Sequence, residues 1–198
     1  MNCRIVIDGN IGSGKSTQVK LLAQEGYSVL TEQIDDWPLD DYYKDPPKFA
    51  LALQLAVLKS FQVPGVQIYE RSPESSRQVF WRMLLDEKTV TEEDDKKYKE
   101  AYEVSGWYPD IHIYIDTPPQ ICFDRLESRK QTGDSSISLE YIKKIDRYYK
   151  KYLMVGCAHR IDGRLTPVQI LEQILWVIRK RDELYRADSE GSEVSQDI

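Results

Sequence analysis

Apolar positions along the chain fall into short runs separated by longer amphipathic stretches, the pattern of a parallel sheet covered by helices. The runs predict strands at Cys3–Asp8, Tyr27–Thr31, Val66–Glu70, Ile111–Asp116 and Ala158–Asp162. Helical period predicts helices between them, at about Lys15–Glu25, Pro47–Phe61, Ser75–Leu85, Glu92–Ser105, Pro119–Ser128, Ser138–Leu153 and Thr166–Tyr185. The last of these opens on "TPV", with threonine as cap and proline in the first turn. Two polar segments interrupt the pattern. "SRKQTGDSSIS", Ser128 to Ser138, joins two helices, and Arg186 to Ile198 reads as a disordered tail.

Length and charge narrow this picture. The 198 residues suit one α/β domain, spanning 1–185 ahead of the tail. With 27 basic and 33 acidic side chains the net charge is −6, which argues against a broad grip on a nucleic acid polymer. No apolar run approaches the ~20 residues that span a bilayer, so no membrane partner is expected. No leader pattern stands at the start, and the chain reads as cytoplasmic. Cys3, Cys122 and Cys157 are odd in number and lie far apart in apolar segments, as buried thiols in a reducing compartment do. With His112 and His159 as the two histidines, a zinc site is not expected.

The first strand runs directly into "GNIGSGKS", which fits G-x-x-x-x-G-K-[ST] at Gly9, Gly14, Lys15 and Ser16. Glycines let backbone N–H groups turn inward around a phosphate, and the following helix adds its positive N-terminal end. Lys15 is placed to charge-pair with phosphate oxygens, and Ser16 offers a hydroxyl to Mg²⁺. The candidate donor site is therefore Gly9, Asn10, Ile11, Gly12, Ser13, Gly14, Lys15, Ser16 and Thr17. It points to a nucleoside triphosphate and leaves the phosphoryl acceptor open.

Acids at strand ends are candidates for the other half of the chemistry. "VQIYERS" places Glu70 and Arg71 at the carboxyl edge of the sheet, where ligands of such sheets bind. Glu70 suits a metal and Arg71 the transferred phosphoryl or acceptor oxygen, against the alternative of a surface ion pair. Asp116 also ends a strand, but the "TPP" after it fits an ordinary turn. Glu32, in "YSVLTEQIDDW", could take the proton of an acceptor hydroxyl. Gln54 stands alone in the apolar helix "FALALQLAVL" and either reads a nucleobase edge or bonds to solvent on a boundary face. Phe80 could stack on a base or belong to the core.

In order along the chain, "GNIGSGKST", "LTE" with a following tryptophan, "YKDP", the helical glutamine, "ERS", and "TPP…CFDRLESR…LEYIKK" resemble the deoxyribonucleoside kinases. That group includes deoxycytidine and deoxyguanosine kinases, the mitochondrial-type thymidine kinase and the insect multisubstrate enzyme. The resemblance covers about Ile5 to Leu153. It implies a P-loop kinase fold with a five-stranded parallel sheet and a short arginine-bearing lid. It also implies ATP and Mg²⁺, a deoxyribonucleoside substrate and a homodimer.

The resemblance further implies a general-base role for Glu32, a metal role for Glu70 and a catalytic role for Arg71 beside the 5′-hydroxyl. Tyr43 would meet the sugar 3′-hydroxyl, Trp37 would line the pocket, Gln54 would read the base and Phe80 would stack on it. Arg125 and Arg129 match lid arginines and Asp134 a lid acid. The lid departs from the family pattern at Gln131 and at Gly133-Asp134. The turn from Asp162 to Arg164 would lie near the adenine. Val57 and Ser76 stand where cytidine- and purine-preferring members carry arginine and aspartate, which implies room for a 5-methyl group. Phe61, often methionine, would narrow the pocket against purines. Thymidine is expected first, deoxycytidine second. A thymidylate-type monophosphate kinase and a P-loop NTPase switch are the rival readings, and the sequence lacks the N-K-x-D motif of the latter.

Overall fold

The computed structural model describes residues 3–129, 137–153 and 159–193. Its described residues build a five-stranded, all-parallel sheet in the order β2-β3-β1-β4-β5. The strands are β1 (Ile5–Gly9), β2 (Val29–Leu30), β3 (Ile68–Glu70), β4 (Ile111–Asp116) and β5 (His159–Asp162). Strand β1 lies at the centre, with Ile7 opposite Glu70 on one side and Asp8 opposite Tyr114 on the other. The α/β fold and the five parallel strands match the expectation. β2 is shorter than the apolar run Tyr27–Thr31, because pairing there is confined to Val29 and Leu30 on β3.

The alternation of side chains along the strands divides the core. Ile5 and Ile7 of β1, Ile68, Ile161, and Ile111, Ile113 and Ile115 of β4 face one side. They pack on Val19 and Leu22 of α1 (Lys15–Gln24) and on Ile170, Ile174 and Ile178 of α9 (Pro167–Glu193). On the opposite face, Val6 and Tyr69 meet Phe61 at the end of α3 (Pro46–Ser60). Tyr114 there meets Val79, Met83, Ile145 and Tyr149. Asp8 and His112 share that second face by register.

α2 (Leu39–Lys44) was not legible as a helix. Its six residues, "LDDYYK", carry no apolar period, and acids Asp40 and Asp41 in the first turn with Lys44 in the last favour it through the helix dipole. The helix expected at Ser75–Leu85 is α4 (Pro73–Ser75), a widened π-helical stretch Ser76–Trp81, and α5 (Arg82–Asp86). α6 (Glu92–Ser105) begins where expected, because Thr91 and Asp94 cap each other reciprocally. α7 (Pro119–Arg129) precedes the segment 130–136, and α8 (Leu139–Tyr148) continues as a π-helical stretch Tyr149–Leu153. α9 runs on through residues 186–193, past the expected helix end at Tyr185 and into the expected disordered tail; "RADSE" contains no proline to stop it. Residues 194–198 and Cys157 lie outside the described residues.

Candidate active site

The chain leaves β1 at Gly9 and turns through residues 10–14 into α1, so the glycine loop sits at the carboxyl end of the central strand. Gly14 caps α1 with φ 105°. Gly9 adopts φ 151°, and a Cβ there would stand 2.8 Å from the Ile115 carbonyl oxygen, so glycine is required at both ends of the loop.

Side chains from several elements hold the loop. Asn10 Nδ2 donates to the Ile142 carbonyl of α8 at 2.9 Å. Thr117 Oγ1 and Arg125 Nη1 both donate to the Ser13 carbonyl, at 3.0 and 3.1 Å. Lys15 Nζ folds back to donate to the Asn10 carbonyl at 2.9 Å. Burial, and then the charge of Arg71, lower the Lys15 pKa.

The acids and Arg71 converge beside this loop. Ser16 Oγ donates to Glu70 Oε1 at 2.7 Å. Glu70 and Arg71 are 2% and 5% exposed, so they are not a surface ion pair. The nearest carboxylate to Arg71 is Glu32: Arg71 Nε donates to Glu32 Oε1 at 2.7 Å. Arg71 Nη1 donates to the Gly9 carbonyl at 3.0 Å, which joins the acceptor-side pair to the first residue of the donor loop. Burial alone would lower the Arg71 pKa, but Glu32, Tyr149, Asp8 and Glu70 together raise it. Burial and then the Glu32 charge push Glu70 up, against the pull of Lys15, Ser16 and Arg71.

Gln54 is buried on α3, and its Oε1 accepts from Ser76 Oγ at 2.9 Å. That excludes the solvent-bonded alternative and ties Gln54 to Ser76, which stands where other members carry aspartate. Phe80 is half-buried, with the Arg71 guanidinium 4.8 Å from its ring centre and Tyr149 edge-on to it. The ring thus packs into the core on one side and stands beside the arginine on another. Trp37 ends the short 3₁₀ turn Ile34–Asp36 with its indole Nε1 buried and unpaired, and Tyr43 is exposed on α2 beside Tyr42. Val57 packs against the cluster that contains Phe61. Phe61 itself is 5% exposed and lies edge-on to Trp107, so its bulk belongs first to the core.

Arg125, expected to reach the donor phosphates, holds two loops: Nη1 takes Ser13 and Nη2 takes the Gly163 carbonyl at 2.9 Å. Arg129 is exposed at the end of the same helix, and Asp134 lies outside the described residues. Asp162 is paired with Arg164, which sets its pKa near 2, and Gly163 packs directly on Thr117. The turn from 162 to 164 therefore adjoins the glycine loop through Thr117 and Arg125. Asp116 is paired with Arg160, in agreement with its reading as an ordinary strand end.

Sequence reasoning missed three members of the site. Asp8 is wholly buried, and its Oδ1 accepts from Tyr149 Oη at 2.6 Å and from the Gly9 N–H at 2.9 Å. Its Oδ2 lies 3.2 Å from His112 Nε2. Burial would raise the Asp8 pKa, but His112, Arg71 and Tyr149 outweigh it and hold the carboxyl far below the usual range. The available signal was a charge inside the otherwise apolar "IVIDG". Tyr149 offered none, because it falls among several tyrosines near the end of α8.

Comparison with known proteins agrees with this geometry. The family model described as deoxynucleoside kinase matches residues 5–183. The chain belongs to the deoxynucleoside kinase family. The enzyme therefore phosphorylates deoxynucleosides from a nucleotide donor. A probable deoxycytidine kinase of fowlpox virus is 30% identical over 79% of this chain and 74% of its own. The mitochondrial thymidine kinase 2 of Homo sapiens is 29% identical over 85% of this chain and 69% of its own. Among solved structures, a deoxyadenosine kinase from M. mycoides with bound dCTP superposes with TM-score 0.76 at 23% identity. It covers 89% of this kinase and 99% of that chain, and shows that the two share a fold.

Proposed function

We propose that this kinase transfers the γ-phosphoryl group of ATP to the 5′-hydroxyl of a pyrimidine deoxynucleoside, thymidine first and deoxycytidine second. The observation that carries the reading is the Glu32–Arg71 pair, set at 2.7 Å and tied through Arg71 to the Gly9 carbonyl of the donor loop. A carboxylate that can accept the hydroxyl proton and a guanidinium that can meet the oxygens of the transferred group stand next to the phosphate cradle. Glu32 removes the proton as the 5′-oxygen attacks, Arg71 balances the charge that develops, and Lys15 holds the donor phosphates. In this reading Arg129, at the end of α7, meets oxygens of the donor phosphates.

Ser16 and Glu70 fit Mg²⁺. A hydroxyl and a carboxylate in contact are hard oxygen donors, and this ion is commonly held by one or two carboxylates together with substrate phosphates. When bound, it would neutralise charge on the phosphate oxygens. Glu70→Gln is expected to separate stability from activity. Its raised pKa means that the folded state binds more protons than the unfolded one between the ordinary glutamate value and its own. Stability therefore falls as pH rises through that window, and above it the ionised Glu70 is a cost. Glutamine keeps an acceptor for Ser16 and removes that charge. Above that window the ligand-free variant should melt higher than wild type, while losing Mg²⁺-dependent turnover. Thermal melts and an Mg²⁺ titration of the rate check both halves.

For the base, Gln54 and Ser76 present an amide and a hydroxyl, and Val57 stands where an arginine would favour an amino-bearing edge. This set supports a pyrimidine with a 5-substituent. The expected order of kcat/KM is thymidine, deoxycytidine, then the two purine deoxynucleosides. A leading value for deoxyguanosine would overturn it.

A further inference from the structure

We propose that Asp8 and Tyr149 are positioning residues for Arg71, keeping its guanidinium in place while Glu32 gains a proton. The inference rests on the kinase reading above. Arg71 Nη1 donates to Tyr149 Oη, and that hydroxyl donates to Asp8 Oδ1 at 2.6 Å. Asp8 Oδ1 itself lies 3.5 Å from Arg71 Nη1. The same carboxylate oxygen takes the Gly9 N–H, while Arg71 takes the Gly9 carbonyl. Gly9 is thus gripped on both sides by the pair.

Two physical points separate this arrangement from ordinary packing. Arg71 adopts φ 67°, a left-handed conformation that is unfavourable for a residue with a side chain and persists where the surroundings impose it. And Glu32, as the proton acceptor, becomes neutral during the step: the 5′-hydroxyl proton passes to its carboxylate, and its charge opposite Arg71 disappears. A buried guanidinium left without a counter-charge would shift or draw in water. Asp8, which takes no part in the proton transfer, remains ionised behind it. His112 on β4 caps the other oxygen of Asp8, so that oxygen too is occupied.

The test is steady-state kinetics on the full chain, with thermal melts in parallel. Tyr149→Phe, which preserves the ring packing against Phe80 and Tyr114, should lower kcat about tenfold or more. KM for ATP and deoxynucleoside should stay within about twofold, because the loss falls on the transition state. Asp8→Asn should lose at least as much and Asp8→Glu should recover most of it. In an Arg71→Lys background, Tyr149→Phe should cost less than about twofold further, since the group it positions is gone. A kcat for Tyr149→Phe within twofold of wild type would overturn the proposal. So would an equal loss in both backgrounds, which marks a structural role. If Asp8→Asn does not fold, Tyr149→Phe and the double variant decide. Failure of the wild type to phosphorylate any deoxynucleoside would instead overturn the functional reading.

Discussion

Glu32→Gln is expected to lower kcat by about 10²–10⁴-fold, the range for removing a positioned general base. The amide is isosteric and its oxygen can still accept from Arg71 Nε, so the geometry of the pair survives while the proton acceptor is lost. Truncating one partner of a buried pair costs about 3–5 kcal/mol when it strands the other charge. Here the cost should be much smaller, because Asp8 still opposes Arg71 and the Glu32 side chain is 16% exposed. ATP binding should not change, since the loop is held by Asn10, Thr117, Arg125 and Lys15. Steady-state rates at saturating substrates, with ATP affinity measured by titration, check both statements. A variant turning over at near wild-type rate would remove Glu32 from the mechanism.

Lys15→Met should have the second large effect, and in two directions. Turnover should fall by about 10²–10³-fold or more, the cost of losing a preorganised donor aimed at developing charge. The ligand-free protein should nevertheless be as stable as wild type or more so. The ammonium is 4% exposed, and burial, reinforced by Arg71, lowers its pKa. The folded state therefore binds fewer protons than the unfolded state between that lowered value and the ordinary lysine value near ~10.4. Wild-type stability should rise with pH across that window, and the gap to the methionine variant should close. Melting temperatures of both proteins from pH 7 upward test this. A parallel pH dependence would contradict the assignment of that cost to Lys15.

How much could be read in advance depended on whether a signal was local. The sequence pattern located all five strands; β1, β3 and β4 were the clearest, because a strand buried on both faces is written as a largely contiguous apolar stretch. The helical period placed α6 at Glu92–Ser105, and the structure adds the reciprocal Thr91–Asp94 cap at its start. The glycine loop was legible because a phosphate cradle needs glycines at fixed spacing. Gln54 stood out as a polar residue inside an apolar helix, and Glu70 and Arg71 as an acid and a base at the carboxyl end of a strand. What sequence could not provide was pairing across distance. Arg71 takes Glu32, distant in the chain, in preference to its neighbour Glu70, and Arg125 braces Ser13 and Gly163. Tyr149 reaches Asp8 from 141 positions away. The widened turn at Ser76–Trp81 was also hidden, since apolar spacing over so few residues does not distinguish a π-helical turn from an α-helical one.

The central claim is transfer of one phosphoryl group from the donor loop to a sugar hydroxyl beside Glu32 and Arg71. The direct measurement is incubation of the protein with γ-labelled ATP, Mg²⁺ and thymidine or thymidine monophosphate, followed by identification of the labelled product. The account predicts label in the 5′-monophosphate of thymidine, dependent on Glu32. Label appearing only as inorganic phosphate, or only in a diphosphate made from the monophosphate, would contradict it.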